Sequence, residues 1–127
     1  MTYKRFLLLT GAAAVLATPA YAGCTVYQHR DYKGSHFYLG PGDRLQVAGE
    51  RCGMSQSHGT PRGQYHYQPS WNDQVSSFKV TKGCVITLWQ HAQGCGGGGT
   101  HFRTDRSYTY VGSAWNDKTS FVECLCR

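Results

Sequence analysis

The chain reads as an all-β domain, a two-sheet Greek-key sandwich stabilised by disulfides. Three observations predict this. Short β-rich runs alternate with Gly, Pro, Asp and Ser clusters, and no segment reads as a helix. A Trp-Asn-Asp triplet recurs with flanking features in the same order, so the domain consists of two related supersecondary units. Six cysteines, Cys24, Cys52, Cys84, Cys95, Cys124 and Cys126, all follow an export-type leader, which suggests a disulfide framework. Composition agrees. A length of 127 residues fits one domain. With 16% charged and 13% aromatic residues, disorder driven by charge is excluded. The 16 glycines call for many turns.

The leader comes first. Lys4 and Arg5 precede an uncharged run over 6–17, and Ala20-Tyr21-Ala22 puts small residues where a signal peptidase reads. The run is too short to span a bilayer. Residues 1–22 are therefore expected to be removed, leaving 23–127 and lowering the net charge from +6 to +4 as Lys4 and Arg5 are lost. Tyr21-Ala22-Gly23-Cys24 faintly matches a lipoprotein box, but Tyr21 stands where such boxes hold Leu, and acylation of Cys24 would leave an odd number of cysteines. The destination is the periplasm or the exterior.

Strands are expected near 24–29, 34–39, 43–47, 75–80, 84–90, 100–103, 107–111 and 119–125, four in each half. Phe78 and Val80 alternate with Ser77 and Lys79, as in a strand with one buried face. Cys124 and Cys126 lie two apart on one strand, so they share a face and each must pair elsewhere. The remaining pairings stay open. The halves run about 24–82 and 83–127. Between the third and fourth strands of the first half, 49–70 is long enough to be functional or pinned by Cys52. In the second half, Gly94-Cys95-Gly96-Gly97-Gly98-Gly99 lacks the Lys-Ser/Thr of a phosphate loop and reads as a hairpin connection.

The repeat itself is specific. Trp71-Asn72-Asp73 recurs as Trp115-Asn116-Asp117, and these hold the only two Asn of the chain. Tyr27-Gln28-His29 echoes Trp89-Gln90-His91, and His36-Phe37 echoes His101-Phe102. Tyr27-x4-Tyr32-x-Gly34 resembles the aromatic signature of βγ-crystallin Greek keys. Asn72-Asp73-Gln74-Val75-Ser76-Ser77 matches that family's calcium signature, N/D-N/D-x-x-S/T-S, at every position. Asn116-Asp117-Lys118-Thr119-Ser120-Phe121 departs only at its last residue. The second aromatic motif departs further: Trp89 is followed by Gly94 and Gly96, with about three residues inserted and no second aromatic.

The resemblance implies a single βγ-crystallin-like domain, a monomer, that binds Ca2+ through paired turns. Its implied ligands are Asn72, Asp73, Gln74 (backbone carbonyl) and Ser76, with Asn116, Asp117, Lys118 (backbone carbonyl) and Ser120. Calcium takes 6–8 hard oxygens, which such turns can supply. One carboxylate per motif and a basic chain imply weak binding, on the order of 10⁻⁴–10⁻³ M. The alternative is that the turns only close hairpins while Trp71 and Trp115 plug the core.

Other chemistry is poorly served. Catalysis needs groups in hydrogen-bond reach, and no nucleophile elbow is present. The six His, including His29, His36, His58, His66, His91 and His101, match no tight metal spacing and read as solvated or turn-packing. Basic residues are scattered, so a nucleic-acid partner is not expected. The rival reading is a secreted peptidase inhibitor or antimicrobial, toxin-like binder of the same fold. There Arg51 or Arg62 of the 49–70 loop would meet a protease, or the basic surface an envelope component.

Overall fold

A computed structural model describes residues 21–52, 63–93 and 96–127. The leader up to Ala20 lies outside them, as do Cys95, His58 and Arg62. Among the described residues no helix is long and apolar enough to cross a membrane. Eight strands form two sheets: β1 (Cys24–His29), β2 (Lys33–Leu39), β3 (Arg44–Gln46), β4 (Tyr65–Tyr67), β5 (Ser77–Val80), β6 (Cys84–Gln93), β7 (Gly96–Thr104) and β8 (Phe121–Cys126). Two three-residue 3-10 turns, Arg30–Tyr32 and Pro69–Trp71, are the only helical pieces described.

The strand order explains the Greek keys. One sheet runs β2-β1-β5 and the other β4-β3-β8-β6-β7. β3 follows β2 in the chain yet pairs antiparallel with β8 in the opposite sheet. The reciprocal crossing comes from 107–111, which returns to the first sheet beside β5. Tyr108 exchanges backbone bonds with Phe78 at 3.0 and 3.1 Å, and the Val111 N–H reaches the Ser76 carbonyl at 2.8 Å. The expected regular strand there is reduced to a single bridge. Two ladder partners are diverted: the Ser107 hydroxyl accepts from the Val80 N–H at 2.9 Å, and the Thr109 carbonyl accepts from the Asp31 N–H at 2.8 Å.

The core lies between the sheets. Val26, Leu39, Leu45, Val47, Val75, Phe78, Ile86, Leu88 and Val122 are each fully buried. At roughly 25 cal/mol per Å² of apolar surface, this burial is the main favourable contribution to folding. Two disulfides staple it. Cys24 of β1 bonds Cys124 of β8, joining the sheets, and Cys84 of β6 bonds Cys126 of β8 within one sheet. Cys124 and Cys126 thus pair elsewhere, as their spacing required. Cys52 is disulfide-bonded as well.

β4 was not expected. It pairs parallel with β3, Arg44 opposite Tyr65, and is docked by polar anchors rather than by an apolar run. Asp43 accepts from the Gln64 N–H at 2.8 Å and bonds His66 at 3.2 Å. His66 is therefore engaged with Asp43 rather than merely solvated, and its ring also meets Phe37 at 5.1 Å.

Candidate functional site

Each Asn-Asp triplet sits on a turn fixed by backbone bonds. In the first, the Asn72 N–H donates to the Pro69 carbonyl and the Gln74 N–H to the Trp71 carbonyl, both at 3.1 Å. In the second, the Asn116 N–H donates to Gly112 at 2.8 Å and the Lys118 N–H to Trp115 at 3.1 Å. Asp73 and Asp117 occupy the left-handed region, with φ of 57° and 65°. Aspartate tolerates this conformation better than most side chains because its short polar group bonds locally. The left-handed Asp and the bond from the residue after it back to the Trp carbonyl recur in both turns, while the Asn N–H reaches back three residues in the first and four in the second.

Both turns are then clamped to the scaffold alike. The Ser76 N–H donates to the Tyr27 carbonyl of β1 at 2.9 Å, and the Ser120 N–H to the Trp89 carbonyl of β6 at 2.9 Å. The Ser76 and Ser120 carbonyls receive the Val111 and Val47 N–H groups at 2.8 and 2.9 Å, each from the other half's crossing strand. Both serines are consequently buried, while Asn72, Asp73, Gln74, Asp117 and Lys118 are exposed and Asn116 is half-buried.

The two motifs touch. The Ser76 hydroxyl donates to the Asn116 side-chain oxygen at 2.9 Å, across 40 residues of sequence. Among the described residues the reciprocal pair, Ser120 and Asn72, makes no such bond. The candidate donors are all hard oxygens, namely amide, carboxylate, hydroxyl and backbone carbonyl. They fit calcium and suit a soft metal poorly.

Solved structures share this fold. No protein-family model matches the sequence, and no curated protein matches it. A βγ-crystallin domain from Flavobacterium johnsoniae superposes with a TM-score of 0.57 at 24% identity, covering 82% of this chain and 94% of that one. One from Clostridium beijerinckii gives 0.56 at 21% identity, covering 81% and 97%. The chain has the βγ-crystallin fold. A clostrillin double mutant, described in complex with nickel, gives a TM-score of 0.56 at 22% identity, covering 81% and 97%.

The aromatic signature of the βγ-crystallin fold explains the hairpins. Tyr27 and Tyr32 rings lie 5.5 Å apart, with the Lys79 ammonium 4.7 Å from the Tyr32 centroid. Gly34 has φ +80°, and a Cβ there would fall 2.4 Å from the His29 ring. In the second half the equivalent residue is Gly99: φ +75°, with a Cβ 2.6 Å from the His91 ring. The glycine of the second motif is therefore neither Gly94 nor Gly96. Counting back two residues from the shared His-Phe pair finds it, because Tyr27 pairs with His36 and Trp89 with His101. The insertion lengthens the β6–β7 hairpin, and Gly97 makes room for the Trp89 ring.

Of the inhibitor-loop residues, Arg51 is exposed, with its guanidinium 5.9 Å from the Tyr67 centroid. Arg62 lies outside the described residues.

Proposed function

We propose that this chain is an exported, non-catalytic βγ-crystallin domain whose paired Asn-Asp turns bind calcium weakly and so stabilise the fold. The observation that carries this reading is the Ser76–Asn116 bond, which puts a ligand-type oxygen of each motif at one place. Asn72, Asp73, Gln74 and Ser76, with Asn116, Asp117, Lys118 and Ser120, are the proposed ligands, Gln74 and Lys118 through their carbonyls. A bound calcium supplies positive charge between turns that otherwise meet through one neutral hydrogen bond. With one carboxylate per motif the affinity belongs to the weak, extracellular range of about 10⁻⁴–10⁻³ M.

Export is supported at the domain's edge. Gly23 is buried, and its N–H donates to the Thr81 hydroxyl at 2.8 Å, whereas Tyr21 is 78% exposed. The Tyr38 hydroxyl also donates to the Ala22 carbonyl at 2.5 Å, so the fold's contacts begin at the expected cleavage point itself. A disulfide-bonded domain placed there suits a role in envelope protection or stress.

Calorimetric titration of the oxidised 23–127 protein with calcium tests the proposal, beside Asp73→Ala and Asp117→Ala. Saturable heat is expected from the parent, and its reduction in each variant shows which motif is competent. Absence of heat at millimolar calcium would reduce the turns to hairpin closures.

A further inference from the structure

The repeat has one asymmetry that calcium binding does not use. In the first half Trp71 is 7% exposed and belongs to the core, and β4 supplies His66 against the neighbouring Phe37. Among the described residues the second half has no counterpart of β4. There Trp115 is half-buried, packs on Phe102 at 6.3 Å between ring centroids, and walls a surface pocket of about 250 Å³.

The pocket's lining is Gln90, Thr100, His101, Ala114, Trp115 and Lys118. No carboxylate lines it. The Thr100 hydroxyl donates to the Gln90 side-chain oxygen at 2.9 Å, which orients that amide. The Gln90 amide nitrogen and the Lys118 ammonium have no protein partner among the described residues. His101 lies against Trp89, with ring centroids 4.7 Å apart and planes tilted by 43°. The side chain of Lys118 thus serves this pocket, while its carbonyl belongs to the turn.

We propose that this pocket binds a single-ring acidic sugar, a uronate. Its volume lies below the roughly 300–1,000 Å³ of pockets for drug-sized ligands, so it admits about one ring. An indole wall favours a ligand with a flat apolar face and gives no advantage to a bare inorganic anion. Unpaired amide and ammonium donors, with no acid beside them, favour hydroxyls and a carboxylate on the ligand's edge. A neutral sugar would leave Lys118 without its counter-charge. An aromatic carboxylate would leave the Gln90 donors unmatched.

The test is an NMR titration of the oxidised protein with D-glucuronate, in EDTA so that the outcome does not depend on calcium at the turns. The Trp115 indole N–H should shift saturably while that of Trp71, buried in the other half, stays put. Lys118→Gln keeps the backbone carbonyl and should weaken binding about fivefold. Gln90→Ala should weaken it about three- to tenfold. D-Glucose should bind at least about fivefold more weakly for want of the charge. The proposal fails if glucuronate gives no saturable shift at tens of millimolar, or if both variants titrate like the parent. It fails equally if D-glucose or benzoate binds as tightly as glucuronate.

Discussion

Thr119 is the buried residue whose chemistry is least served. It has no exposed surface, and its hydroxyl is the sole buried side-chain polar atom without a hydrogen-bond partner among the described residues. Its repeat counterpart is Val75, equally buried and nearly the same shape. An unsatisfied buried hydroxyl costs about 1–3 kcal/mol, and replacing it with an apolar group of the same shape recovers part of that. Thr119→Val should therefore raise the unfolding free energy by about 1 kcal/mol in urea denaturation, and Val75→Thr should lower it. Loss of stability in Thr119→Val would mean that the hydroxyl has a partner in solution. Residue-level reading of sequence met its limit nearby. Alternation assigns Ser77 to the solvent face, yet Ser77 is fully buried. Its hydroxyl donates to the His29 carbonyl at 2.6 Å and accepts the Tyr32 N–H at 3.1 Å, closing the β1–β2 hairpin over it. A serine that satisfies backbone groups inside a fold looks, in sequence, like one that faces water.

Among the elements, β4 depends on a buried polar network. The Tyr65 hydroxyl donates to the Gln46 side-chain oxygen and accepts from the Cys52 N–H at 2.8 Å. The Gln46 amide nitrogen in turn donates to the carbonyls of Ala48 and Glu50 at 2.8 and 2.6 Å. Tyr65→Phe keeps the ring but strands a buried N–H and a buried amide oxygen, so it should cost about 1–3 kcal/mol. Chemical denaturation measures this; a change under about 0.5 kcal/mol, the size of an ordinary surface substitution, would mean β4 is held by packing alone. This network also explains what was legible. β1, β2, β3, β5, β6, β7 and β8 were all readable with ends shifted by a few residues, β1, β5, β6 and β8 from their apolar residues and β2, β3 and β7 from the turn residues around them and the repeat. Tyr65-His66-Tyr67 is three residues long and pairs through Asp43, Gln46 and Gln64, which no periodicity announces. The Asn-Asp turns were legible because the chain states them twice. The pocket was not, since its lining comes from three separate stretches of chain, at Gln90, at Thr100 and His101, and from Ala114 to Lys118.

For the whole molecule, covalent and ionic stabilisation can be ranked. Cys24–Cys124 spans 100 residues and joins the two sheets, while Cys84–Cys126 spans 42 and links neighbouring strands. Loop-closure entropy puts these at about 4.7 and about 4 kcal/mol, upper figures because the unfolded chain is not fully free. Calcium that binds only the native state contributes about 1.4 kcal/mol at ten times its Kd. The oxidised protein should therefore stay folded in EDTA, with calcium raising its urea midpoint modestly. The pair Cys24→Ala with Cys124→Ala, changed together so that no thiol is left free, should lower the midpoint by more than calcium raises it. Loss of the sheet-to-sheet bridge should also exceed loss of Cys84–Cys126, because β6 and β8 remain held by a six-residue register from Cys84–Cys126 to Trp89–Phe121. Unfolding of the oxidised protein by chelation alone would reverse the order. The Asn-Asp turns would then hold the two halves together, and the disulfides would be secondary to them.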